Sequence, residues 1–172
     1  MPAPKPHADQ DPDFVYVIYI LAAPQKVWDT LTDSETVRPW WAHTRHDSTF
    51  EVGDPITYLR HGKVDVRGEI LEREAPSRLT YTFHIEGPGP LHDEGPSVVT
   101  YELKAASNGT MLKITHTNFP RGSASRAGVS NGWPAILSSL KSAMESGKAL
   151  LHDEWERADA AASAQLEKAA AQ

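Results

Sequence analysis

The feature that most constrains this chain is a long stretch in which apolar side chains recur at every second position. Ile56 and Tyr58 begin it, and Val64, Val66 and Ile70 alternate with Asp65, Arg67 and Glu69. Leu79, Tyr81, Phe83 and Ile85 follow, then Val99, Tyr101 and Leu103, then Leu112, Ile114 and His116. Period two is the signature of half-buried antiparallel strands, each with one apolar face. Turn signals separate the runs: Val52-Gly53-Asp54, His61-Gly62-Lys63, Ala75-Pro76-Ser77 and Asn108-Gly109, the last being the strongest hairpin signal in the chain. Strands joined by hairpins curl into a twisted sheet, and something must cover its concave face. One helical stripe is suited to that, carrying Trp133, Ile136, Leu137, Leu140 and Met144, with Gly147 as its stop.

The flanking segments complete the order. Phe14 to Leu21 is β-branched and aromatic throughout, which predicts a strand buried on both faces for part of its length. Pro24 suits the first turn of a helix carrying Val27, Trp28 and Leu31. Asp33 or Ser34 is then expected to cap a second short helix ending before Pro39, with Trp40-Trp41 in a loop. Gly87 to Pro96 and Phe119 to Asn131 read as loops, the first of them a candidate lid holding His92, Asp93 and Glu94. The expected fold is therefore α+β: a curved antiparallel sheet of about six to seven strands wrapped on a long C-terminal helix, with two short helices after the first strand. The expected organisation is a flexible arm over 1–13, one domain over 14–151, and an Ala-rich helical tail over 152–172. Trp155, Ala158, Ala162 and Leu166 give that tail a thin apolar seam, for loose docking or for pairing two copies.

Composition narrows the function classes. Of 172 residues 40% are hydrophobic and 23% charged, which suits an ordinary folded domain with a core. With 17 Lys and Arg against 23 Asp and Glu the formal charge is −6, so a nucleic-acid backbone is repelled rather than attracted. There is no cysteine, which removes disulfides, thiolate metal sites and thiol nucleophiles and fits a reducing cytoplasm. The start is Pro-rich and acidic, without a signal-peptide core, and the apolar run Phe14 to Ala23 is far shorter than the roughly 20 residues of a membrane helix. The expectation is a cytoplasmic protein that contacts neither nucleic acid nor membrane.

The residues Tyr19-Ile20, Pro24 to Asp33 and Trp40-Trp41 resemble the opening of the activator of heat-shock-protein-90 ATPase homologue-like family. Gly132-Trp133 and Leu140 to Lys148 resemble its closing helix, and Val66 to Ile70, Leu79 to Phe83 and Thr110 to His116 fall where it has its strands. The resemblance spans roughly Phe14 to Leu151. It implies the helix-grip fold of the START and Bet v superfamily, whose members bind lipids, polyketides, hormones and other apolar molecules, with a few cyclases and hydrolases among them. It also brings a chaperone contact into view, although the eukaryotic activators rely on a further N-terminal domain for which this chain has no room.

On that fold Trp40, Trp41, Tyr58, Tyr81, Phe83, Tyr101 and Trp133 are expected to converge beneath the long helix, with His116, Leu137 and Leu140. Large apolar bodies with polar tips suit a ligand cavity, and the same residues also suit a plain core. The expected ligand is a small apolar or amphipathic molecule; no cofactor is implied. His116 points inward by parity, either as an acid–base group or as a core histidine bonded to a neighbour. His43 and His46 are three apart, but no HExxH or Cys/His pattern accompanies them, so no metal site is assigned. Three readings follow: a ligand-binding protein, a protein-interaction or co-chaperone-like module, and a cavity-based enzyme of cyclase or hydrolase type.

Overall fold

The computed structural model describes residues 9–171, excluding the side chains of residues 152, 156, 158, 159, 162, 163 and 166. Seven strands form one antiparallel sheet: β1 (Phe14–Ile20), β2 (Arg45–Asp47), β3 (Pro55–Arg60), β4 (Lys63–Glu74), β5 (Arg78–Ile85), β6 (Ser97–Ala106) and β7 (Gly109–Thr117). Their spatial order is β1-β7-β6-β5-β4-β3-β2, so every neighbouring pair from β2 to β7 is sequential and the first strand returns to lie beside the last. Among the described residues four helices accompany the sheet: α1 (Pro24–Thr32), α2 (Pro90–Asp93), α3 (Ala124–Ser146) and α4 (His152–Ala170). The architecture is the expected one, α+β with a long C-terminal helix α3 across a curved sheet. No helix among the described residues is long and apolar enough to cross a membrane.

The pairing of the sheet is interrupted on both sides of β4. Register shifts occur between Tyr58 and Leu59 on β3 and between Ile70 and Glu72 on β4, each a bulge that increases local twist. At Gly68 a Cβ would lie 1.8 Å from the Thr82 carbonyl oxygen, so only glycine lets β4 come this close to β5. Of the inward residues read from period two, Ile56, Tyr58, Val66, Ile70, Leu79, Tyr81, Phe83, Val99, Tyr101, Leu103, Leu112, Ile114 and His116 are buried, while Val64 and Ile85 are half-buried. Val27, Trp28 and Leu31 of α1 and Trp133, Leu137 and Leu140 of α3 close that core.

Four local expectations are corrected. β1 is buried on one face alone, with Val15, Val17 and Tyr19 at 54%, 42% and 60% exposure, because it is an edge strand whose outer face meets no helix. The second short helix does not form. Asp33 instead folds the chain into a turn, accepting from the Glu35 amide at 2.8 Å and the Thr36 hydroxyl at 2.5 Å. The loop over residues 87–96 contains the one-turn helix α2, started by Pro90. Helix α3 begins at Ala124, nine residues before Trp133, so most of the expected Phe119–Asn131 loop is helical.

The end of the N-terminal segment is tied down. The Asp11 amide donates to the Phe119 carbonyl, and its carboxylate accepts from the Gly122 and Ser123 amides at 3.0 and 2.8 Å. Those two amides hold the Asp11 carboxyl below its ordinary value. In the tail, Trp155 packs against the core. The rest of the expected seam, Ala158, Ala162 and Leu166, lies outside the described side chains.

Candidate functional site

A cavity of about 220 Å³ lies between α3 and the β3–β5 part of the sheet. Trp41, Tyr58, Phe83 and Trp133 wall it with four rings, three of whose contacts are edge to face and one tilted. Trp41 meets Tyr58 at 4.9 Å and 85°, and Trp133 at 5.2 Å and 69°. Phe83 meets Tyr58 at 5.6 Å and 83°, and Trp133 at 6.2 Å and 57°. These centroid spacings are those at which aromatic pairs attract, so the walls hold one another in place. Val66, Ile85, Val129, Ile136 and Leu91 add aliphatic surface, and the Arg60–Asp65 ion pair at 3.0 Å stands on the lining.

The space exists because of what α3 lacks. Ser125, Gly128, Val129, Gly132, Trp133 and Ile136 share the face turned to the cavity, at steps of three and four. A Cβ built on Gly128 or Gly132 would meet nothing within 4 Å. Each glycine costs roughly 0.5–1 kcal/mol relative to alanine inside a helix, so the chain gives up helix stability where a side chain would take up the cavity.

Of the ten residues expected at a cavity, the structure brings Trp41, Tyr58, Phe83 and Trp133 to this one. It places Trp40, Tyr81, Tyr101, His116, Leu137 and Leu140 in the surrounding core. Alternation along the chain misses Gly128, Gly132, Leu91 and the Arg60–Asp65 pair. The helix-face spacing of Ser125, Gly128, Val129 and Gly132 was the signal available in the sequence.

His116 is fully engaged. Trp133 Nε1 donates to its Nδ1 at 3.0 Å, and indole has no acceptor, so the imidazole proton sits on Nε2. Nε2 then donates to Ser97 Oγ at 2.6 Å, and that hydroxyl donates to the Phe83 carbonyl at 3.0 Å. Burial, with a smaller push from the Arg126 charge, lowers its pKa to about 3. No lone pair remains to accept a substrate proton. His46 is buried against Tyr58 and Trp41, with ring centroids at 4.2 and 5.4 Å, and burial holds its pKa well below the usual histidine value. Among the described residues no three His, Asp or Glu side chains converge as a metal cage.

The family described as activator of Hsp90 ATPase homolog 1-like protein matches residues 21–145. This chain belongs to that family. No curated protein matches it. Among solved structures it is similar to protein MLL2253 from Mesorhizobium loti, with 26% identity over 76% of this chain and 94% of the other, TM-score 0.66. It is also similar to the Aha1 dimer from Colwellia psychrerythraea, at 22% identity over 81% and 100% of the two chains, TM-score 0.64. An HSP90 activator from Plasmodium falciparum, PFC0360w, shares 20% identity over 74% and 92%, TM-score 0.61. At 20–22% identity the last two show a common fold.

In this AHSA1-type chain α2 borders the cavity, with Leu91 on the lining. Two sets of bonds staple it. His84 Nε2 donates to the His92 carbonyl and His92 Nδ1 to the Ile85 carbonyl, both at 2.9 Å, with the two rings stacked at 4.5 Å. On the other side the Glu94 carboxylate accepts from the Ser123 hydroxyl and the Ala124 amide at 2.6 Å and the Ser125 amide at 3.2 Å. Burial raises the Glu94 pKa, but the bonds from Ser123, Ser125 and Ala124 outweigh it and the net shift is downward. Glu94 thus caps α3 from thirty residues upstream, where the helix dipole favours an anion. Glu94→Ala is expected to cost about 1–2 kcal/mol of stability. Hydrogen exchange should show faster amide exchange at Ala124 and Ser125, while the β6–β7 amides keep their protection.

Proposed function

We propose that this protein binds a small, flat, largely apolar molecule between α3 and the sheet, with α2 as the cover. The observation that carries this reading is the aromatic-walled cavity kept open by Gly128 and Gly132. A dry cavity of about 150 Å³ accepts benzene, so about 220 Å³ suits one substituted aromatic ring rather than a lipid tail. The lining is mainly apolar, and the Arg60–Asp65 pair offers one polar anchor. A catalytic role through His116 loses its support, because both ring nitrogens are bonded within the core. The co-chaperone reading draws on the two similar structures named as Aha1 and as an HSP90 activator, but no residue of this chain argues for it as directly as the cavity does.

A native-state ligand at one hundred times its Kd adds about 2.7 kcal/mol of stability. Thermal melts with toluene, indole and naphthalene are therefore expected to show saturable, concentration-dependent rises in Tm. Flat melting curves for all three at their solubility limits would overturn the proposal.

A further inference from the structure

Tyr58, whose ring walls the cavity, also belongs to a group of buried polar side chains with Tyr81, Tyr101 and Arg38. Arg38 is 2% exposed, yet among the described residues none of its three guanidinium nitrogens finds an acceptor. Among the described residues it makes no ion pair. Asp33 acts on it electrostatically, but the Asp33 oxygens accept from the Glu35 amide and the Thr36 hydroxyl. Its guanidinium carbon lies 5.9 Å from the centroid of the Trp40 ring. Tyr58, Tyr101 and Tyr81 also feel its charge.

The three tyrosines add to the same imbalance. The Tyr58 hydroxyl donates to Tyr81, and Tyr81 donates to Tyr101 at 3.3 Å. Three hydroxyl protons share two bonds, so one proton is left without an acceptor whichever way the chain runs. A guanidinium carries five more N–H groups. The core at this point holds a surplus of donors and one uncompensated positive charge, the most costly combination to bury.

We infer that Arg38 and the Tyr58–Tyr81–Tyr101 hydroxyl chain form a buried receptor for a single carboxylate group. A carboxylate matches the planar guanidinium fork with two parallel bonds and leaves lone pairs for a tyrosine hydroxyl. It also balances the charge. His46 beside Tyr58 is held neutral by burial, so one monoanion neutralises the cluster and a dianion would leave a net negative charge inside. The carboxylate has two possible sources: a free small acid, or the acid group of an aromatic ligand whose ring occupies the cavity. The second form rests on the proposed ligand reading, since Tyr58 is both a cavity wall and the first hydroxyl of the chain.

Acetate, benzoate and neutral toluene separate these cases in melts and calorimetric titrations of the full chain, with chloride holding ionic strength constant. Saturable stabilisation by acetate and benzoate that disappears in Arg38→Met supports the receptor with free acids as the source. Stabilisation by benzoate alone, abolished by both Arg38→Met and Gly132→Leu, supports it with the acid group belonging to the cavity ligand. Tyr101→Phe keeps the packing and removes one hydroxyl, and it is expected to weaken carboxylate binding roughly five- to tenfold. That variant and the wild-type titrations decide the matter even if Arg38→Met fails to fold. No response to either acid beyond chloride overturns the inference, even where toluene still binds. Loss of toluene binding with acetate binding retained would instead sink only the cavity reading.

Discussion

Gly132→Leu is expected to abolish binding of toluene-sized probes while leaving the protein folded and no less stable. The new side chain starts in open space, since a Cβ there meets nothing within 4 Å, and it grows into a cavity of about 220 Å³. Replacing a helical glycine recovers roughly 0.5–1 kcal/mol of backbone entropy, and burial of the new apolar surface against Trp133 and Phe83 adds to it. Gly132→Ala, the smaller step, should raise Tm and weaken probe binding only in part. The two variants together separate volume from helix stability. Gly132→Leu with full probe affinity would show that binding occurs elsewhere. Gly132→Leu with a large loss of stability would show that the space is already needed by moving side chains.

Acid is expected to unfold this protein through its buried histidines. His116 is held neutral in the fold, its pKa lowered to about 3 by burial first and the Arg126 charge second, and His46 is lowered well below 6.5 by burial. In the unfolded chain both take up a proton near pH 6.5. The unfolded state therefore binds more protons over the window from about 6.5 down to about 3, and stability falls as pH falls through it. Above that window the two contribute no pH dependence. A histidine depressed this far contributes about 1.4 kcal/mol per pH unit inside its window, so His116 is expected to give a slope of about that size near pH 5, and His46 adds to it in the same direction. Urea unfolding at half-unit steps of pH measures this slope directly. His116→Gln can still accept from Trp133 and donate to Ser97, and it should remove the His116 share of the slope while keeping the fold. A flat profile between pH 6.5 and 5 would show that the two rings are solvated in the native state.

The strands were legible because one face of each is buried and the other wet, which writes a period of two into the sequence. Parity states which side a residue faces but not how deep it lies. Tyr81 and Tyr101 point inward as expected and end in the packed core, whereas Tyr58 and Phe83, with the same parity, reach the cavity. The first nine residues of α3 were not legible, since Ser, Gly and Asn between Ala124 and Gly132 carry poor helix propensity. Their helix is held by distant partners, the carboxylates of Glu94 and Asp11, and such long-range caps leave no local pattern. Arg38 was invisible for the opposite reason. Arginine is exposed by default, and nothing beside it in the chain announces that its head is buried.

Gly68 is not part of the cavity lining, yet it sets how near two strands lie to each other. Its bare Cα lets β4 approach the Thr82 carbonyl, and a single methyl group there would meet that oxygen at 1.8 Å and force the two strands apart. Backbone pressed against backbone leaves no space for even the smallest side chain at this one position.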